Sequence, residues 1–159
     1  MATGDIKWFA AGLLQLGTKI HNLTSDTLKM GIVTSATAPS IDTAVPAWGA
    51  GGTTNFLSNQ VATGGTSYTA PVTLASVTWT TVGSGPGVPT LRATDITLAQ
   101  DASGFTNGAY GIIYNDTDAS KRAIAYIELS SGGAASLVAG SLTINFQGAG
   151  TDVLRLSPS

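Results

Sequence analysis

The chain of 159 residues is poor in reactive side chains: it has no cysteine, one histidine and one glutamate, and only 10% of its residues are charged. Without cysteine, neither a disulfide framework nor a thiolate zinc site can form. Acid–base and nucleophilic catalysis need several titratable groups gathered at one place. We therefore expect a protein that is not an enzyme and that carries no metal and no cofactor.

Long apolar runs and basic clusters are also missing. No window approaches the roughly 18 consecutive apolar residues that mark a membrane helix, and Asp5 lies where a signal peptide would be basic. The net charge is −2, and the seven Lys and Arg residues are scattered, with Lys121-Arg122 as the one adjacent pair. A nucleic-acid site needs a basic stripe. We expect a protein made in the cytoplasm, with neither a membrane nor a nucleic acid as partner.

Ser, Thr, Ala and Gly take the place of charged residues in a chain that is 43% hydrophobic. A surface of such residues costs little to desolvate, which suits burial against other subunits of an assembly. A monomeric β protein of low charge is the alternative. The length is that of one domain.

Alternation of apolar residues predicts the strands. Leu28, Met30 and Ile32 alternate with their neighbours and begin the first clear strand. Further strands are predicted at residues 72–80, with a bulge near 75–76, and at 90–100, 109–114, 123–129, 141–146 and 151–156. The pattern favours a mainly β fold, a single β-sandwich or jelly-roll-like domain.

Two segments depart from the strand pattern. Residues 6–20 have apolar residues at helical spacing, with Asp5 as a possible N-cap, although Gly12 and Gly17 weaken the pattern. Residues 1–27 are therefore predicted to form an N-terminal arm or short helix, and 28–159 the β-sandwich. Residues 36–65 form a long loop rich in Ala, Thr, Pro and Gly, and loops of this length are usually functional or disordered.

Three motifs invite a chemical interpretation. His21 lies near Ser25 and Asp26, but a polar turn fits these residues better than a catalytic triad. Asp116 and Asp118 could begin a calcium loop, yet the further ligands of that loop are missing, so a hairpin turn with a local ion pair is favoured. Residues 83–87 resemble a phosphate loop only superficially and are predicted to be a flexible connection.

Four large side chains are the candidates for subunit contact: Trp8, Phe9, Trp48 and Phe56. They lie in the arm and in the long loop, where exposed aromatic residues often anchor interfaces. Ordinary core packing is the alternative for each. Trp79, in strand phase with Val77, is predicted to be core.

Several stretches of the sequence, taken in order, resemble a group of small structural proteins of tailed bacteriophages. The matching landmarks are residues 25–35, 65–70, 109–117, 123–129, 142–146 and 153–156. The resemblance implies a β-rich virion subunit, a decoration or cement protein bound to the major capsid protein on the capsid exterior. We also expect the chain to form a homo-oligomer, and a trimer would suit the three-fold positions of a capsid if it is a cement protein. The Ala/Pro/Gly-rich stretch at 36–52 departs from the group.

Two other functions are left open by the sequence. A tail, neck or fibre-base subunit would have the same kind of β module, because one fold serves many virion roles. A carbohydrate- or receptor-binding module would use Trp48 and Tyr68 as its stacking platform.

Overall fold

Alternating apolar residues build a central antiparallel sheet, and most other elements pack on one of its two faces. The structure is a computed structural model that describes residues 6–82, 88–130, 133–146 and 154–155. The predicted loop at 83–87 lies outside the described residues. The described strands are β1 (Lys7–Trp8), β2 (Leu28–Val33), β3 (Pro46–Ala47), β4 (Thr54–Asn55), β5 (Val72–Thr73), β6 (Thr78–Val82), β7 (Val88–Arg92), β8 (Ile96–Leu98), β9 (Tyr110–Asn115), β10 (Ala123–Glu128), β11 (Leu142–Ile144) and β12 (Leu154–Arg155). One α-helix, α1 (Ala10–Gly17), and one 3-10 helix, Phe56–Asn59, complete the described elements.

The central sheet has five strands in the order β1-β10-β9-β2-β5, all antiparallel. β9 lies in the middle, opposite Met30 and Ile32 of β2. Every residue of β9 after Tyr110 is buried, because both faces of the sheet are covered. A mainly β fold with a short helix and a long loop is confirmed.

The first face of the sheet carries aliphatic side chains. Leu28, Met30 and Ile32 share one core cluster with Ile113. The same cluster includes residues of the two smaller antiparallel sheets, β11-β8 and β12-β7-β6, such as Leu91, Ile96, Leu98, Leu142 and Ile144. The two layers together form the sandwich.

The second face is more aromatic. Val33, Ile112, Tyr114 and Tyr126 belong to a separate cluster on this side. It is covered by Phe9 and by residues 34–60, which contain the short parallel pair β3-β4 and the 3-10 helix. α1 follows Phe9 directly, lies against β10, and packs Leu16 on the first-face cluster. We call α1, the Phe9 that precedes it and residues 34–60 the cover. The long loop is therefore an ordered layer of the molecule.

The short helix predicted within residues 6–20 is present and covers part of that stretch. Residues 7–8 are a strand paired with β10, and the helix runs only from Ala10 to Gly17. Its N-cap is Phe9, with no side-chain cap hydrogen bond, and Asp5 lies outside the described residues. The helix ends where Lys19 adopts a positive φ of 62°.

Two predicted strands are each divided between two sheets. Residues 72–80 form β5 and β6, and the chain turns at Ser76, whose φ is 51°. The slip in the apolar pattern at 75–76 therefore marks a crossing between layers and not a bulge. Residues 90–100 form β7 and β8, separated where the Asp95 carboxylate accepts the N–H of Phe146.

Candidate docking face

Trp48 anchors the cover on the second face of the sheet by packing against it. Its indole stacks on Tyr114 with ring centroids 5.2 Å apart and an interplanar angle of 3°. The six-membered ring lies directly over Gly31 of β2, where any β-carbon would collide with it. Glycine at this position therefore provides the slot that the indole fills.

Backbone contacts hold the same stretch at its edge. The Trp48 N–H donates to the Lys121 carbonyl at 2.8 Å, and Ala47 forms an isolated bridge with Arg122. Gly51 lies against the backbone of Ser120, with no room for a side chain. The cover is thus joined to the turn between β9 and β10 by main-chain hydrogen bonds and close packing.

Phe9 joins the helical part of the cover to its loop part. The Phe9 ring contacts Phe56 at 5.9 Å and Tyr126 at 5.0 Å. α1 approaches the sheet closely because Gly12 sits over Ile124, where a β-carbon would lie 2.6 Å from the carbonyl oxygen. Gly12, which weakens the helical pattern in the sequence, is what allows this packing.

Of the four residues predicted for subunit contact, three lie inside the molecule. Phe9 and Phe56 have no exposed surface, and Trp48 is 6% exposed. These three form the core between the cover and the sheet, the alternative that the sequence left open. Trp8 is half-buried on the first face, edge-on to Trp79 with centroids 6.3 Å apart.

The outer surface of the cover carries exposed apolar side chains instead. Of the five large apolar side chains that are exposed in the described residues, four belong to the cover: Leu14, Ile41, Val45 and Leu57, at 70%, 53%, 43% and 43%. The Ile41 carbonyl accepts the N–H of Ala10, which places Ile41 beside the first turn of α1, one turn from Leu14. The fifth, Val138, lies outside the cover.

The cover is also almost free of charge. Between Lys29 and Arg92 the sequence has one charged residue, Asp42, and α1 has none. This local gap in charge is the signal that could have located the face from sequence, because the overall charge content does not. We call the outer surface of the cover, with Leu14, Ile41, Val45, Leu57 and Asp42, the uncharged face.

Charges collect at the turn between β9 and β10. Asp116 pairs with Lys29 at 2.9 Å and with Lys121 at 2.6 Å. The hydrogen bonds from Lys121 and Lys29 lower the pKa of Asp116. Asp118 faces Arg122 at 3.5 Å. The hairpin turn with local ion pairs is confirmed, and because these pairs are partly open to solvent each contributes little stability.

His21 belongs to a buried polar network that links α1 to the same end of the sheet. Asn115 Oδ1 accepts the N–H groups of Thr117 and Asp118, so its Nδ2 is left to donate, at 3.1 Å to His21 Nδ1 and at 2.6 Å to Asp26. His21 Nδ1 is then an acceptor, and the neutral ring donates from Nε2 to Gln15 Oε1 at 2.9 Å.

This arrangement differs from a catalytic triad. Both ring nitrogens of His21 are occupied, by Gln15 and Asn115, and Asp26 accepts from Asn115 and from the Asn22 N–H. Burial lowers the pKa of His21, against the opposing effect of Asp118 and Asp26, so the neutral ring is favoured. The network orients side chains and joins elements.

A groove of about 540 Å³ opens beside this network. Leu16 and Leu23 form its apolar part together with Trp79, and Lys19, Asn22 and Thr24 supply polar atoms. Sequence reasoning missed the groove because its walls come from α1, from the segment before β2 and from β6.

Comparisons of the chain with protein-family models, with curated proteins and with solved structures give no match. The resemblance to bacteriophage structural proteins therefore stays a prediction. Within the described ranges, no helix is long and apolar enough to cross a membrane. Nor do the described His, Asp and Glu side chains form a group of three or more that could hold a metal ion.

Proposed function

We propose that this chain is a non-enzymatic structural subunit of a bacteriophage virion, bound to the outside of the capsid as a decoration or cement protein. The observation that carries the proposal is the uncharged face: exposed Leu14, Ile41 and Leu57 on a layer that has Asp42 as its one charge. Isolated exposed apolar residues are common on monomers. Here they are gathered on one ordered layer that contains few charges to desolvate.

The mechanism would be cementing. Binding that buries the uncharged face against neighbouring capsid subunits stabilises the bound shell by mass action, because a ligand of one state stabilises that state. The apolar side chains supply the driving force, at roughly 25 cal/mol for each Å² of apolar surface removed from water. The rigid attachment of the cover by Trp48 and Phe9 means that little ordering is needed on binding.

The partners in this proposal are the major capsid protein and further copies of the same chain. Self-association on the capsid, with a trimer at three-fold positions, would place several uncharged faces on one capsid site. Such multivalency raises the overall affinity without any new kind of contact.

Protein stoichiometry of purified particles tests the proposal. Quantitative mass spectrometry would compare the number of copies of this chain with that of the major capsid protein. We expect a simple ratio across the shell. A few copies per particle would contradict capsid cementing and assign the chain to a tail, neck or fibre base, and absence from particles would overturn the virion role itself.

A further inference from the structure

We infer that the groove beside Trp79 is a binding site for a small acidic sugar, such as a uronate or a sialate unit. The groove lies on α1, the segment that follows it and β6, so it involves none of the exposed apolar residues of the uncharged face. The inference therefore goes beyond the proposed function and holds whether or not the chain is part of a virion.

The groove has the size and the composition of a small-molecule site. Its volume of about 540 Å³ lies within the roughly 300–1,000 Å³ of typical ligand pockets, which combine apolar walls with a few polar groups. Leu16 and Leu23 make up the apolar walls. Trp79 is half-buried, and its contact with Trp8 at 88° fixes the orientation of the indole.

The indole of Trp79 favours a ligand with an apolar face. The C–H groups on one side of a pyranose ring can lie flat on an aromatic ring, and tryptophan supplies a large rigid surface with only two side-chain torsions to immobilise. Trp48 and Tyr68, the platform expected from sequence, are 6% and 2% exposed and are not accessible. Trp79 takes that role.

The side chains of Asn22 and Lys19 offer hydrogen-bond donors to the groove. Asn22 Oδ1 already accepts from the N–H and the hydroxyl of Thr24, at 3.2 and 2.7 Å, which leaves the two hydrogens of Asn22 Nδ2 for a ligand. Lys19 contributes an ammonium group, and none of the described carboxylates lies within ion-pair distance of it. Both ring nitrogens of His21 are already used.

The positive charge of the groove lining favours an acidic ligand over a neutral one. Neutral sugars present hydroxyl donors as well as acceptors, and carboxylate side chains are the natural acceptors for them. The described lining contains no Asp or Glu, and Lys19 is its one charged residue. A ring with several oxygen acceptors and a carboxylate matches this donor-rich groove, because charge-assisted hydrogen bonds are the stronger ones.

Ligand titration of the purified protein tests the inference. The probes are glucuronate, galacturonate and N-acetylneuraminate, with glucose and galactose as the neutral counterparts, and the readout is the NMR shift of the tryptophan indole N–H groups. We expect at least one acidic sugar to shift the Trp79 resonance saturably. A uronate that binds should do so about fivefold more tightly than its neutral counterpart, the upper range for an exposed ion pair.

Three variants, one of them a control, keep the test specific. Lys19→Gln should abolish the preference for the acid, while Lys7→Gln, at the exposed residue of β1, should leave it unchanged. Trp79→Leu keeps an apolar side chain in β6 and should remove binding of all the probes, measured by ligand-observed saturation transfer. The inference is overturned if none of the three acids binds, or if binding survives Trp79→Leu.

Discussion

The two faces of the central sheet are buried to a similar degree by two different kinds of structure. The first face packs aliphatic residues such as Met30 and Ile113 against regular strands of the smaller sheets. The second packs Tyr114 and Tyr126 against Phe9 and an irregular segment. Strands are held by their ladders of hydrogen bonds. The cover depends instead on aromatic contacts, on glycine slots and on a few main-chain bonds.

The difference between the two faces bears on the proposed docking function. The cover uses Phe9, Trp48 and Phe56 on its inner side and exposes Leu14 and Leu57 on its outer side. Attachment within the chain and the docking that we propose would therefore use different residues of one layer.

The largest effect is expected from removing the aromatic attachment. Trp48→Ala should lower the free energy of unfolding by about 3–5 kcal/mol, close to the about 2–5 kcal/mol expected for Ile113→Ala on the first face. Urea unfolding measures both values. If Trp48→Ala cost less than about 1 kcal/mol, the cover would be a loosely attached loop, because surface substitutions stay near ±0.5 kcal/mol. Trp48→Phe is the milder variant if the alanine variant fails to fold.

The glycine slot should give the next largest effect. Gly31→Ala forces the indole of Trp48 out of its place, and we expect a cost of about 1–3 kcal/mol, as for other overpacked sites. Gly64→Ala is the control, since its β-carbon would meet open space, and it should range from no change to a gain of about 1 kcal/mol.

A double-mutant cycle shows whether Trp48 is the cause. In the Trp48→Ala background the collision is absent, so the cost of Gly31→Ala should fall by an interaction energy of about 0.5–3 kcal/mol. If Gly31→Ala lowered the free energy of unfolding equally in both backgrounds, its effect would not come from a collision with Trp48.

On the first face, Asp101 ties the loop before β5 to the loop after β8. The N–H groups of Ser67, Ser103 and Thr66 donate to its carboxylate and lower its pKa to about 2. A lowered pKa means that the stabilisation is fully present above the unfolded pKa of about 3.9 and is lost as the pH falls through 2. Asp101→Asn should lower the melting temperature at pH 7 and reduce the loss of stability between pH 4 and 2. An unchanged acid profile would contradict this assignment.

The smallest effect should come from the His21 network, which connects the helix of the cover to the sheet. Because burial lowers the pKa of this ring, the unfolded chain binds more protons, and stability is full above the unfolded pKa of about 6.5 and falls as the pH is lowered. The charged groups that act on the ring are Asp26, Asp118 and Arg122. In His21→Gln the slope between pH 7 and 5 should disappear, and a retained slope would assign it to other groups.

The sequence was most informative where one side of a strand faces the core. Alternation at Leu28, Met30 and Ile32 correctly predicted the first face, and the strands at 109–114 and 123–129 were found nearly at their true bounds. Period-two alternation is a local property, so a single sequence contains it.

The cover could not be predicted in the same way. Trp48 stacks on Tyr114 and lies over Gly31, and both contacts join residues that are distant in the chain. Irregular segments have no period that would reveal which side is buried. An aromatic residue in such a segment fits an interface and a core equally well, and the structure assigns Phe9, Trp48 and Phe56 to the core.

The divided strands have a similar explanation. In the sequence, residues 90–100 look like one continuous strand. In the structure, the Asp95 carboxylate accepts the backbone N–H of Phe146, and the chain passes there from one sheet to another. Only the three-dimensional layers decide where a long apolar stretch must be divided.

The central proposal is that the uncharged face docks on the capsid, and placing a positive charge on that face tests it most directly. Binding of the purified protein to particles that lack it would be measured by co-sedimentation for Ile41→Lys, Leu57→Lys and the matched control Val138→Lys, which alters an exposed apolar residue outside the cover. A lysine buried without a partner is costly, so the two variants of the face should bind at least about tenfold more weakly than wild type, and the control should bind unchanged. Equal binding by all three variants would contradict the account.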